Sequence, residues 1–192
     1  MKILKNITTT TMVMVLLLAS SLEARETKKV SNFSGSSFVE SSGTFDGNRI
    51  YADVTNNGLF LDYHISGDSA LEWPQGTGVH SIFQSALWMG ATVNGQIRTI
   101  VGDYTQDMGP GPYGGDPLAA VHRIYKVSKS MLDDPASHDD FQNWPVEWGA
   151  PWVDVDGDGA WNPLPAGQDH PEFLGDQVLW FVSNDGDIAY KL

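Results

Sequence analysis

One nonapeptide constrains this chain more than any other stretch: Asp154-Val155-Asp156-Gly157-Asp158-Gly159-Ala160-Trp161-Asn162. Carboxylates stand at its first, third and fifth positions, a glycine at the sixth and an amide oxygen at the ninth. Carboxylates packed this closely repel one another unless a cation lies between them. A hard dication such as calcium takes six to eight oxygens at about 2.3–2.6 Å. Aspartates two residues apart converge on one ion only if the backbone coils tightly, which Gly159 permits. The expected ligands are the side chains of Asp154, Asp156 and Asp158, the main-chain carbonyl of Ala160, and Asn162, directly or through water. The competing reading is an acidic surface turn, since Asp and Gly are common turn formers.

The loop departs from an EF-hand in two ways. The twelfth position, where an EF-hand carries a bidentate Glu, is Pro165, and Pro151-Trp152 leaves no room for a preceding helix. The expectation is an EF-hand-like calcium loop without flanking helices, closed by a later acid. Asp169 is the first choice, with Glu172 and Asp176 behind it.

The chain has no cysteine, so disulfides, thiolate metal sites and cysteine nucleophiles are excluded. A staple must therefore be a metal or plain packing. With 192 residues, 41% of them hydrophobic and seven Trp, there is material for one sizeable core. The 24 Asp+Glu against 11 Lys+Arg argue against nucleic acid, whose phosphates require basic partners.

The N-terminus carries Lys2 and Lys5, then the apolar run 12–19, then small residues up to Ala24. This is the layout of a secretory signal peptide over residues 1–24. The run is too short for the roughly 20 apolar residues of a membrane span. Residues 25–43 are polar and serine-rich, a flexible segment or a loosely held first strand.

Residues 44–192 read as a β-rich module. Strands are expected over 49–54 and 59–65, with Asn56-Asn57-Gly58 as the turn between them. The segment 85–102 is expected to form a hairpin about Asn94-Gly95, the favoured pair for a two-residue turn. Leu87, Met89, Ala91 and Val93 are assigned one face, continued by Ile97, Thr99 and Val101. Gly90 suggests a bulge or a close approach. A strand is expected over 123–128, and a helix opened by Asp134-Pro135 and ended near Asn143 by Pro145. Gln177–Ser183 is apolar on both faces, which predicts a central strand. Only nine residues follow it, so the chain is expected to be the front part of something longer.

Trp144, Trp148 and Trp152 lie four apart, but Pro145, Gly149 and Pro151 defeat a helical stripe. They are expected to anchor an irregular loop to the sheet; the functional alternative is a platform for sugar rings. Gly67-Asp68-Ser69-Ala70-Leu71 nearly spells a serine-esterase block. Its Asp-x-x-His partner is missing, because no histidine follows His170 and Gly167 stands three before it. The five histidines show no paired zinc spacing. Acid pairs such as Asp133/Asp134 and Asp139/Asp140 could serve a glycosidase only if folded across a cleft.

With Trp73-Pro74, Leu87-Trp88-Met89-Gly90, Asn143-Trp144-Pro145, the block 154–159 and Gly175-Asp176-Gln177-Val178-Leu179-Trp180 in place, the chain resembles a family. It is similar, over about Asn48 to Asp187, to the N-terminal region of large secreted bacterial proteins of unassigned function. Many of those end in a type IX secretion sorting domain. The resemblance implies export and β-architecture rather than a chemistry.

The expectation is a secreted or cell-surface, mainly-β, antiparallel sandwich-like module with one short helix and long loops. Calcium stabilises it, and its role is structural rather than catalytic. The alternatives are a glycan-binding module using the Trp-rich loop, and the front part of a secreted hydrolase. The partners considered are a cell-surface glycan or another extracellular protein, with no nucleic acid and no membrane span.

Overall fold

A computed structural model describes residues 41–61, 70–102, 108–165 and 168–186. The signal-peptide expectation lies outside these residues, as do most of the serine-rich segment, residues 62–65 of the second strand and residues 67–69 of the esterase-like block. Among the described residues, no helix is long and apolar enough to cross a membrane.

The fold is mainly β. Its first half contains β1 (Ser42–Phe45), β2 (Tyr51–Thr55), β3 (Leu59–Leu61), β4 (Leu71–Glu72), β5 (His80–Ile82), β6 (Ser85–Ala86), β7 (Trp88–Val93) and β8 (Gln96–Val101). The second half adds β9 (Gly109–Pro110), β10 (Tyr125–Ser128), the four-residue helix α1 (Asp139–Gln142), β11 (Trp152–Val153), β12 (His170–Pro171), β13 (Gln177–Trp180) and β14 (Ser183–Asn184). All pairings are antiparallel: one four-stranded sheet in the order β1-β2-β4-β5, and two-stranded pairs β3–β6, β7–β8, β9–β14, β10–β13 and β11–β12.

β2 and β3 are joined at Asn56-Asn57-Gly58, but only Gly58 takes a positive φ (+91°). Both asparagines are buried and act as internal connectors. Asn56 donates from Nδ2 to the His122 carbonyl at 2.8 Å and accepts the Ser41 N–H at 2.8 Å. Asn57 Oδ1 accepts the Thr55 hydroxyl and the Leu59 N–H. Turn propensity says nothing of this burial, which arises because the turn faces the segment ending at His122.

The β7–β8 hairpin forms about Asn94 (φ 53°) and Gly95 (φ 77°) as expected. Its faces differ from the expectation. A two-residue turn pairs Val93 with Gln96, so Met89, Ala91 and Val93 share a face with Ile100, Arg98 and Gln96. Ile97, Thr99 and Val101 lie on the opposite face, with Thr92, Gly90 and Trp88. The register at Gly90 is regular, and a Cβ there would meet nothing nearer than 3.9 Å. Neither a bulge nor a close approach explains that glycine. β7 is exposed throughout, with Trp88 68% accessible, and Ile97 of β8 is 82% accessible, so this hairpin does not line the core.

The main core lies in the second half, where Tyr125, Val127, Phe141, Trp144 and Ala150 are buried together. β10 presents Tyr125 and Val127 to it by strict alternation. β13 supplies Val178 and Trp180. The central position expected for β13 is not observed. Among the described residues it pairs with β10 alone and is half-buried along its length. The Leu179 side chain packs towards β1, where a Cβ on Gly43 would lie 3.1 Å from it.

The expected helix over 134–143 is broken. A 3-10 turn covers Pro135–Ser137, His138 is extended (φ −122°, ψ 106°), and α1 then starts at Asp139. The break places two successive carboxylates against β10. Arg123 pairs with Asp139 at 2.7 Å and also with Asp140, whose Oδ2 accepts the Lys126 N–H at 2.8 Å. Those tertiary bonds override local helix propensity.

Candidate metal centre

β11 and β12 pair Trp152 with Pro171 and Val153 with His170. Asp154 follows that ladder directly and Asp169 precedes it. The ribbon therefore opens into the acidic loop with a carboxylate on each of its two edges. Oxygens of Asp154, Asp156 and Asp169 all lie within 4.8 Å of one another, a spacing that could hold a metal ion. Asp169 is 1% exposed, whereas Asp156 is open to solvent.

The loop backbone turns its donors inward onto these acids. Asp154 accepts the N–H of Gly157 at 2.7 Å and of Gly159 at 2.9 Å, and Asp156 accepts that of Asp158 at 3.2 Å. Asp169 accepts Val155 N–H through Oδ1 and Asn162 N–H through Oδ2, both at 2.9 Å. One carboxylate thus ties the entry of the loop to its exit. Gly157 and Gly159 adopt φ of 78° and 76°, the left-handed angles such a coil needs.

The expected donors do not all behave alike. Asp154, Asp156 and Asp169 come together, while Asp158 stands outside that trio. Its Oδ1 accepts the Ala160 N–H at 2.7 Å, and its Oδ2 accepts Asn162 Nδ2 at 3.1 Å. Asn162 Oδ1, on the same amide, is buried and has no hydrogen-bond donor among the described residues. A buried acceptor left bare is costly unless something positive reaches it. Of the fallback acids, Asp176 lies 4.0 Å from Lys129, and neither it nor Glu172 joins the cluster.

No protein-family model, curated protein or solved structure matches this chain.

The tryptophans of the 144–152 loop pack inward or onto one another. Trp144 is 1% exposed and donates from Nε1 to the Pro151 carbonyl at 3.0 Å, leaving no open face for a sugar. Trp148 lies against His122, with ring centroids 5.3 Å apart. Trp152 meets Trp161 edge-on at 5.7 Å. The indoles open to solvent are Trp73 (54%), in the expected loop, and Trp88 (68%), in the expected hairpin. His122 is buried, unlike a surface filler, and its ring fills the space left by Gly111 and Gly115. The Gly/Pro-rich composition of residues 108–117 predicts no regular structure, but Gly109–Pro110 form β9 against β14, because the carbonyl and N–H groups there find partners on Ser183–Asn184.

Proposed function

We propose that residues 154–162 and Asp169 form a calcium clasp in a secreted, non-catalytic structural module of sandwich-like β-architecture. The convergence of Asp154, Asp156 and Asp169 within 4.8 Å carries this reading. Asn162 supports it: its N–H bonds Asp169, and its buried Oδ1 has no donor among the described residues. All the donors are oxygens on a loop with two glycines. Such a loop suits the variable six-to-eight coordination of calcium better than the near-ideal octahedron magnesium demands. The clasp joins β11 to β12 beside the tryptophan-rich core, the position a disulfide would take in a chain with cysteines. Export is inferred from the sequence of residues 1–24.

Thermal melting in excess calcium and in EDTA tests the reading. For an extracellular-type site with Kd about 10⁻⁴ M, calcium at about 100 times Kd stabilises by about 2.7 kcal/mol. That raises Tm by about 5–10 °C for a chain of this size. Superimposable melts would remove the clasp.

A further inference from the structure

The chain holds two Asn-Gly pairs, Asn57-Gly58 and Asn94-Gly95, and the fold treats them in opposite ways. In such a pair the glycine nitrogen can attack the asparagine side-chain carbonyl, because no Cβ on the glycine blocks the approach. Asn57 is 2% exposed, and its Oδ1 accepts both the Thr55 hydroxyl and, at 3.2 Å, the Leu59 N–H. Met108 closes over the next residue: a Cβ on Gly58 would lie 2.7 Å from its Sδ. Asn94 and Gly95 are exposed at the tip of the β7–β8 hairpin, where a Cβ on Gly95 would meet nothing within 4 Å. The bonds that fix this hairpin lie at its base. There the Leu87 N–H donates to the Gly58 carbonyl at 3.2 Å, and Trp88 Nε1 to the Gly102 carbonyl at 2.7 Å. A two-stranded hairpin standing off the core is marginally stable in water. Its tip therefore opens locally at small cost, whereas Asn57 becomes reactive only when a buried turn unfolds.

We propose that Asn94 is a site of spontaneous covalent modification, converting to isoaspartate and aspartate with water as the only co-reactant. Hydroxide removes the Gly95 amide proton, and the nitrogen forms a bond to Asn94 Cγ. The Cγ–Nδ2 bond breaks and ammonia leaves with a proton from solvent, closing a cyclic imide. Water then opens the imide on either side. Cleavage at the main-chain carbonyl carbon gives isoaspartate, and cleavage at Cγ gives aspartate. No electrons are exchanged with any other group. Isoaspartate carries the main chain through Cγ, one backbone atom longer than before. The two-residue turn relies on positive φ at both Asn94 (53°) and Gly95 (77°) to pair Val93 with Gln96. Hairpin register is set by the length and type of the turn, so the longer link breaks that pair. The product also places a carboxylate on a hairpin whose one charged side chain between Trp88 and Val101 is Arg98. The site is independent of the calcium reading.

The test incubates the full chain in warm, mildly alkaline buffer made with heavy-oxygen water, beside a free peptide of residues 89–100 and the full chain in concentrated urea. Peptide mapping by mass spectrometry reads the heavy oxygen incorporated at each Asn-Gly pair, and chromatography separates isoaspartate from aspartate. Asn94 in the folded chain should react within about tenfold of the free peptide, and Asn57 more than about a hundredfold more slowly. In urea the two should react at similar rates. Slowing of Asn94 beyond about tenfold would overturn the proposal, because the tip would then be held shut. Native rates that match at the two pairs would overturn it too, as would protection of Asn57 that persists in urea. Hydrogen exchange at Val93 and Gln96 should be faster in the purified isoaspartyl product than in Asn94→Asp, which adds the same charge without the longer link. Equal exchange in those two would overturn the loss of register.

Discussion

Asp154 and Asp169 adjoin the Val153–His170 pair that ends the β11–β12 ribbon, and a carboxylate oxygen of each lies within 4.8 Å of the other. Like charges this close are destabilising. Here the two have different surroundings. Asp169 is buried and holds two backbone N–H groups, and Asp154 holds two others within the loop.

That difference separates structural from ion-dependent stability. Asp169→Ala leaves the Val155 and Asn162 N–H groups without their acceptor, at a cost of about 1–3 kcal/mol. The loss should appear in EDTA as well as in calcium. Asp156→Asn behaves otherwise, because Asp156 is exposed and an amide oxygen still accepts the Asp158 N–H. Its melt in EDTA should match or slightly exceed the wild type, while its calcium-induced rise in Tm should fall by more than half. Equal losses in both media for both variants would make the cluster an ordinary acidic turn.

The core around β10 and α1 gives a prediction independent of any ion. Phe141 and Trp144 are each 1% exposed, and both belong to the buried cluster that includes Val127. Phe141→Ala should cost about 3–5 kcal/mol, read from urea unfolding, with the same loss in calcium and EDTA. A cost below about 1 kcal/mol would place the cooperative core elsewhere.

What the sequence made legible was local. The Asn94-Gly95 turn and the strand expected over 123–128, observed as Tyr125–Ser128, are each written within a few residues and appear at their expected places, whereas of the aspartates spaced from Asp154 only Asp154 and Asp156 join the cluster and Asp158 does not. Asp169 was reachable because Pro165 vacates the usual closing position. Long-range facts were not legible. The approach of Asp154 to Asp169 depends on the β11–β12 pairing, and the break at His138 depends on Arg123 and Lys126 reaching Asp139 and Asp140. The burial of Asn56 depends on His122, 66 residues away. Periodicity marked β13 as apolar on both faces; among the described residues it pairs with β10 alone, and the Leu179 side chain packs towards Gly43 of β1.

Two glycines should respond oppositely to substitution. Gly111 has φ of 88°, and a Cβ there would collide with the His122 ring. Gly111→Ala should therefore destabilise by about 2–4 kcal/mol, combining overpacking with left-handed strain. Gly90 lies in a regular strand with open space above it. Gly90→Ala should be neutral or stabilising by about 0.4–1 kcal/mol, through reduced freedom of the unfolded chain. Paired urea midpoints decide the matter. A strongly destabilised Gly90→Ala would mean that something covers this face of the hairpin.

The contact between β1 and the β10–β13 pair carries a pH signature. Asp46 Oδ1 accepts Lys126 Nζ at 2.7 Å and Gln177 Nε2 at 2.9 Å, while the Asp46 N–H donates to Gln177 Oε1 at 3.0 Å. The Lys126 hydrogen bond is the chief reason the Asp46 carboxyl sits below its usual value, with burial opposing it and Gln177 assisting. A depressed folded-state value contributes stability that is present above the unfolded pKa, and it is lost as pH falls through the folded one. The side chain is 40% exposed, so screening limits the contribution to about 0.2–1 kcal/mol. Asp46→Asn should cost that much at pH 7, and the gap to wild type should close as the pH drops below about 4. A gap that stays constant down to pH 2 would mean that the hydrogen-bond geometry at Gln177, rather than the charge on Asp46, holds β1 against this pair.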